Sequence, residues 1–330
     1  MDGSFFMVEV RVIENKEDWN SQLKNTVNYN IFSTYEWGNY KSANWKVERL
    51  AFYKSGNYLG QCQFLIKYKF GLALAWNSGG INYVNAKYLS PIIDSIREYY
   101  KDYIFNFRFN FYDNKNGENL FNILPLLTIV SSKINSGFSI VHYLEKDIDY
   151  IKNMNSNHRY YYKKALKNNL KATFSSTESI TDFVDIHNNM TRAKDLQKLR
   201  INHQDIINLS NAFNKNFLIE TIYFEEKVVA SCLILIFEDC AFYYLAASNE
   251  DGRKLFASYF MIKELLDYLT INGIKRFDFA GITPYEQSAN GVNKFKVGFG
   301  GKIVNYLGEF ELFNNKLVNV TFNKLIKYII

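Results

Sequence analysis

The chain predicts an α/β protein of the α+β type, with two tandem domains of similar plan, each a mixed sheet with flanking helices. Three observations carry this. A length of 330 residues is about twice that of a typical domain. A composition of 48% hydrophobic and 17% aromatic residues supports substantial cores and lies far from the disordered class. One order of elements (three strands joined by turns, a loop, a helix, a strand) occurs twice, about half a chain apart. An internal duplication accounts for that order; two unrelated α+β domains are the alternative. The expected division is residues 1–155 and 156–330, with a junction helix around Arg159 to Leu170.

In the first half an alternating strand, Met7 to Ile13, precedes a helix-like stretch, Trp19 to Val27. Val47 to Tyr53, Tyr58 to Tyr68 and Leu72 to Trp76 follow, joined by Ser55-Gly56-Asn57 and Lys69-Phe70-Gly71, which reads as an antiparallel meander. After Asn77-Ser78-Gly79-Gly80, a helix is expected from Pro91 to Lys101, with proline in its first turn. Tyr103 to Tyr112 alternates Phe105, Phe107, Phe109 and Phe111 with Ile104, Asn106, Arg108 and Asn110, the pattern of a strand with one aromatic face. The second half repeats the order with Phe217 to Phe224, Val228 to Phe237 and Ala241 to Ala247. The loop Asn249-Glu250-Asp251-Gly252 then opens a helix with Ala257, Met261, Leu265 and Tyr268 at helical spacing and Gly273 as its C-terminal glycine. The strand Lys275 to Ala280 closes the repeat.

Several classes are excluded. The longest apolar run, Val228 to Phe237, is too short to span a bilayer and contains Ser231. Met1 to Glu9 shows neither a basic n-region nor a cleavage site, and Cys62, Cys232 and Cys240 suit a reduced compartment, so a cytoplasmic protein is expected. His142, His158, His187 and His203 show no metal-ligand spacing, so no metal is expected and these residues read as surface or core. The net charge of +6 is unevenly spread: no acid occurs between Tyr150 and Thr177, where Lys152, Arg159, Lys163, Lys164, Lys167 and Lys171 all fall. On a helical wheel Lys163, Lys164, Lys167 and Lys171 share one arc, opposite Tyr162, Ala165, Leu166 and Leu170. Such a surface suits a phosphate-bearing partner (nucleotide, tRNA or anionic headgroup) or is simply a solvated face.

A meander, a helix following its third strand and a further strand form the core order of the GNAT acyltransferase fold, in which the helix N-terminus accepts a pyrophosphate. The matching loop here, Asn249-Glu250-Asp251-Gly252-Arg253-Lys254, carries one glycine and two acids, so the coenzyme A signal is weak.

Four motifs in order then resemble the FemAB/FemX-like family of peptidoglycan bridge aminoacyltransferases. They are Phe32-Ser33-Thr34-Tyr35-Glu36-Trp37-Gly38-Asn39-Tyr40-Lys41, the stretch from Arg159 to Lys167, the pair Phe277 to Ile282 with Phe295 to Gly301, and Leu307-Gly308-Glu309-Phe310 before a last helix. The resemblance implies two tandem GNAT-like domains. It also implies transfer of an aminoacyl group from aminoacyl-tRNA onto an amine of a nucleotide- or lipid-linked cell-envelope precursor, with no tightly bound cofactor. With no long polar heptad stretch for a helical arm, the layout resembles the compact FemX-like one. Two rivals stand beside it: an acyl-CoA-dependent N-acyltransferase acting on an amino sugar in a polysaccharide pathway, and a non-catalytic GNAT-like module binding RNA or membrane. Peripheral contact with the inner membrane face is a further expectation.

By the same resemblance, Lys41 would contact the acceptor's diphosphate, and the second domain's basic residue falls on Lys194, with Arg192 as the alternative. Tyr244 matches an aromatic position near the acceptor. Lys163, Lys164, Lys167 and Lys171 are the tRNA or polyanion candidates. Lys296 is the leading catalytic candidate on its own pattern. It sits beside Phe295 and ahead of Gly298-Phe299-Gly300-Gly301, which is unusual for a core strand. A fixed cation there would stabilise the oxyanion that forms when an amine attacks an ester or thioester, and the glycines would let a ligand approach the backbone. The plainer alternative is a lysine snorkelling from a strand end. Asp278 would take a proton from the acceptor ammonium or orient Lys296. Where many family members carry an acid in the first aromatic strand, this chain has Asn110, which cannot act as a base.

Overall fold

A computed structural model describes residues 8–115, 120 and 123–329, with side chains described through residue 324. The chain forms two compact units, Met1–Gly137 with Asn305–Ile330, and Phe138–Val304.

In the first unit β1 (Glu9–Val12), β2 (Lys46–Lys54), β3 (Asn57–Lys69) and β4 (Leu72–Asn77) run antiparallel in sequence order, and β5 (Ile81–Tyr83) adds to β3. The β2–β3 and β3–β4 turns each place two successive residues at positive φ: Ser55 (50°) with Gly56 (77°), and Phe70 (48°) with Gly71 (75°). That is the primed turn geometry whose twist matches the strands it joins. The helix Leu89–Tyr99 buries Leu89, Ile92, Ile93 and Ile96. It leads to β6 (Ile104–Asn114), parallel to β4 through six residue pairs, Leu72↔Ile104 to Asn77↔Phe109. Phe105, Phe107, Phe109 and Phe111 are buried on one face of β6, each ring worth roughly 1.5–3 kcal/mol of burial. The opposite face, Asn106, Arg108 and Asn110, is buried as well. The short β7 (Thr128–Ile129) follows.

The second unit begins with β8 (Phe138–Tyr143) and continues with β9 (Lys171–Ser175), β10 (Phe217–Phe224), β11 (Lys227–Phe237) and β12 (Cys240–Ser248), the last four antiparallel in that order. The helix Ala257–Ile271 packs Ala257, Met261, Leu265 and Leu269 into a core with Ile222, Cys232 and Ile234, and Gly273 (φ 81°) terminates it. Then β13 (Arg276–Ile282) lies parallel to β12 through three pairs only, Cys240↔Arg276 to Phe242↔Asp278. The final strand, β14 (Lys302–Phe313), precedes the helix Lys316–Ile329.

The expected duplicated order is present, but the expected boundary at 155/156 is not. The next long strand after β6 in the chain, β8, pairs antiparallel with β13, whereas the strand that follows β13, β14, pairs antiparallel with β6. Each unit thus closes its sheet with the strand that sequence order would give to the other. Residues 138–155 therefore belong to the second unit and 305–330 to the first. Strand pairing, a long-range choice, overrides chain order here.

Two local expectations are also corrected. The basic helix lies inside the second unit, spans only Ser156–Ala165 and is followed by a 3₁₀ turn, Leu166–Asn168, and a left-handed Asn169 (φ 51°). Lys171 is consequently on β9, and Leu166, expected on the buried side, is exposed. Lys296 lies on a helix, Asn290–Gly298, instead of a strand end.

A lysine-centred candidate active site in the second unit

The site starts from a bulge in β13. Its register against β8 slips between Asp278 and Gly281, and Ala280 takes a positive φ of 62°, a conformation that costs a non-glycine residue energy. Asp278 Oδ1 holds the bulge, accepting from the Ala280 N–H at 2.8 Å and from the Ser139 hydroxyl on β8. The Gly281 carbonyl beyond the bulge accepts from Lys296 Nζ at 2.9 Å. Asn293 on the lysine's helix clips that helix to the end of β13, bonding both the N–H (3.1 Å) and the C=O (2.8 Å) of Thr283.

Lys296 is half-buried, with its ammonium 5.6 Å from the centroid of Phe279. Phe279 in turn meets Tyr243, Phe295 and Phe299 at 4.8, 6.2 and 5.9 Å. This apolar shell pulls the lysine's pKa down to about 8, with the Asp278 charge opposing the fall. At neutral pH the group is still mainly an ammonium, held by one carbonyl beside aromatic rings. Such a cation can receive negative charge developing on a reacting carbonyl oxygen. Asp278 accepts two hydrogen bonds through one oxygen, and these hold the bulge beyond which the Gly281 carbonyl meets Lys296.

The glycines after Lys296 serve a different purpose from the one their density suggested. A Cβ on Gly298 would lie 2.0 Å from the His158 ring, and one on Gly301 would lie 2.8 Å from His142 Nε2. The turn is glycine-dense because two buried imidazoles pack against it, and no open approach for a ligand is needed to explain it. His158 Nε2 donates to the Phe295 carbonyl at 2.8 Å, so the histidine fixes the residue next to the lysine. Burial lowers the pKa of His158 and takes His142 down to about 4, so the latter stays neutral.

Other candidates stand apart from this cluster in the chain. Lys41 ends the helix Tyr35–Lys41 in the first unit, its Nζ 4.8 Å from both the Trp37 and Tyr40 rings, a cation–π seat instead of a bare surface lysine. Arg192 and Lys194 are exposed at the C-terminal end of the helix Ile180–Ala193. Tyr244 is the extra residue of a β12 bulge, lying between Leu245, which pairs with Leu233, and Tyr243, which pairs with Ile234. Lys163, Lys164 and Lys167 are exposed on and just after the basic helix, with Lys164 Nζ 4.7 Å from the Tyr160 ring and 5.5 Å from Phe256.

Ser139 and His158 were missed as site residues. Ser139 lies 139 positions from Asp278, and nothing local marks it. Asn110 is buried opposite Glu309 on β14, and Glu309 is already bound by Arg108, so neither offers a base. Glu220 was missed too, although a lone acid inside the apolar strand FLIETIYF was a visible signal. It is fully buried, its Oε1 has no hydrogen-bond partner among the described residues, and burial pushes its pKa well up.

Residues 187–327 match the FemAB family. Over that stretch, somewhat under half of the chain, the protein is similar to the FemAB family. The matched region holds Lys296, Asp278, Phe295, Tyr244, Arg192 and Lys194. The aminoacyltransferase FemA of Staphylococcus aureus is 32% identical over 88 residues, 26% of this chain, and the match spans only about a fifth (21%) of FemA's own length. The crystal structure of FemX superposes with a TM-score of 0.81 at 15% identity, covering 96% of this chain and all of FemX. A tandem GNAT protein from the clavulanic acid biosynthesis pathway superposes at 0.53 with 8% identity, covering 93% of this chain and 98% of its own. These structural likenesses establish the tandem GNAT-like fold of this FemAB-like chain.

Proposed function

We propose that this FemAB-like chain is an aminoacyltransferase, moving an aminoacyl group from aminoacyl-tRNA onto an amine of a nucleotide- or lipid-linked cell-envelope precursor. The reading rests on Lys296, an ammonium anchored 2.9 Å from the Gly281 carbonyl, in an aromatic shell, with Asp278 three residues before that glycine. Direct attack by the acceptor amine needs charge stabilisation and positioning more than an enzyme nucleophile. Within the second unit Lys194, Arg192 and Tyr244 are proposed for acceptor binding and Phe295 for the wall beside Lys296; Lys41, in the first unit, is proposed separately as a diphosphate contact.

The segment ahead of the long helix favours a tRNA donor over acyl-CoA. A GNAT-type coenzyme site leaves that helix's N-terminal amides facing a pyrophosphate. Here the preceding residues form a short helix, Glu250–Lys254, capped by Asn249 and carrying two acids in its first turn. Its glycine is used for packing, because a Cβ on Gly252 would lie 2.1 Å from the Val229 carbonyl oxygen. The deciding experiment incubates the protein with charged tRNA, or with acyl-CoA, and a mixture of nucleotide- and lipid-linked precursors, and weighs the products. An aminoacyl mass increment dependent on charged tRNA is expected. An acyl increment from acyl-CoA on an amino sugar would establish the rival acyltransferase, and no product from either donor would favour a binding module.

The basic surface gives a separate expectation. Replacing Lys163, Lys164 and Lys167 together by glutamine should weaken tRNA binding and reduce the slope of log K against log salt by about 2. Lys171→Gln, on β9, serves as a comparison. Identical binding at low and moderate salt would return these lysines to a solvated face.

A further inference from the structure

The β3–β4 turn carries an expense that its own fold does not explain. Phe70 is 93% exposed and sits at φ 48°, a position where a primed turn prefers asparagine or glycine. Its one ring contact among the described residues is with Lys69 Nζ, 5.6 Å from the centroid. A Cβ on the neighbouring Gly71 would meet nothing within 4 Å, so the tip stands clear of the rest of the unit. A phenyl ring held in water at a backbone position that disfavours it calls for an external partner.

Beneath the apex, the same end of the sheet is graded. The Ile104 N–H bonds the Gly71 carbonyl at 3.0 Å, and Ile104, Tyr103 and Tyr99 are 42%, 39% and 43% exposed. Trp45 lies under Lys67, whose Nζ is 4.4 Å from its ring. The acids here are largely neutralised: Glu48 pairs with Lys46 at 2.9 Å and Glu98 with Lys101 at 2.6 Å, with Asp102 also beside Lys101. Lys67 and Lys69 have no acidic partner among the described residues. An apolar apex, a tyrosine and tryptophan belt and lysines beside them reproduce the order of chemistry across a bilayer interface.

We infer that the β3–β4 hairpin is a membrane-docking tip that seats the first unit on an anionic bilayer surface. Phe70 enters the boundary between headgroups and acyl chains, the belt lies at headgroup level, and Lys67 and Lys69 meet lipid phosphates. A convex apex with a single ring suits a deformable bilayer better than a protein pocket. One ring and two cations give weak, reversible attachment that depends on anionic lipid.

The test uses the whole chain with no donor or acceptor present, so it stands or falls separately from the transfer reading. Co-sedimentation is measured with vesicles of phosphatidylglycerol mixed with phosphatidylcholine, and with phosphatidylcholine alone. Binding to the anionic vesicles, weakened by salt, is expected. Phe70→Asn should lower that partitioning about tenfold or more, while its melting temperature holds or rises because asparagine suits the left-handed position. Lys67→Gln with Lys69→Gln should remove the preference for anionic lipid. Equal vesicle binding by Phe70→Asn, no vesicle binding by the parent chain, or a lower melting temperature in Phe70→Asn would overturn the inference. So would a concentration-dependent dimer that Phe70→Asn abolishes without any vesicle binding, since the occupant would then be a second copy.

Discussion

Lys296→Met is expected to reduce turnover of the proposed transfer reaction by roughly two to three orders of magnitude, the cost of removing one preorganised oxyanion donor. Acceptor affinity should change little. The pH dependence follows from the same residue. The apolar shell lowers its pKa to about 8, so kcat/KM should fall as pH rises through about 8 and the ammonium is lost. Lys296→Arg should rescue part of the activity and remove that falling limb, because a guanidinium stays charged, but its broader, diffuse charge restores less. Stability runs the other way. A lysine whose folded pKa lies below its unfolded value penalises the fold while it is charged, and the penalty fades as pH rises from about 8 towards the unfolded value. Lys296→Met should therefore melt at the same temperature or higher at neutral pH. Single-turnover rates and melting curves on the same preparations check both. Normal turnover, or lower stability with normal turnover per folded molecule, would return Lys296 to a structural role and make Asp278 the next residue to test.

The second large effect concerns stability. Arg108 and Glu309, 0% and 1% exposed, form an ion pair at 2.5 Å between β6 and β14. Glu309 also accepts from the N–H groups of Asn135 (2.6 Å) and Ile134 (3.0 Å), and Arg108 donates to the Ser132 carbonyl. Removing one partner leaves a buried charge uncompensated, so Arg108→Met or Glu309→Leu should each cost about 3–5 kcal/mol in denaturant unfolding. The double variant should cost less than the two losses summed, because neither charge then remains. Additive losses, or single losses below about 1 kcal/mol, would show that the pair is not what ties β14 into the first unit. The same geometry means that a chain cut at 155/156 leaves Arg108 without Glu309.

Much of the fold was legible because its signals are local. Phe105 to Phe111 at alternate positions read as a strand face, since side chains alternate about a strand whatever it pairs with. Ser55-Gly56 and Phe70-Gly71 read as turns because only a small set of backbone angles reverses a chain in two residues. Ala257, Met261 and Leu265 read as one buried helix face. The candidate site was legible in part: Lys296, Asp278 and Phe295 stood out by type and neighbourhood and do lie together. The pattern around them has causes that lie far off in the chain. The glycines at 298 and 301 answer to His158 and His142, which no spacing rule connects to them. The helical wheel carried Lys171 beyond the point where Asn169 turns left-handed, a step that periodicity does not register.

The sequence by itself determined the elements, their duplicated order and the residue types available for the proposed acyl transfer, because each depends on neighbours within a few positions. Only the tertiary structure decided which strand closes which sheet. It brought Glu309 to Arg108, separated by 201 residues, and Ser139 to Asp278, separated by 139. The antiparallel ladders of β8 on β13 and β14 on β6 are specified by burial and pairing across the whole chain. No local pattern distinguishes two closing strands that could each satisfy either edge, so the exchange had to be found in three dimensions.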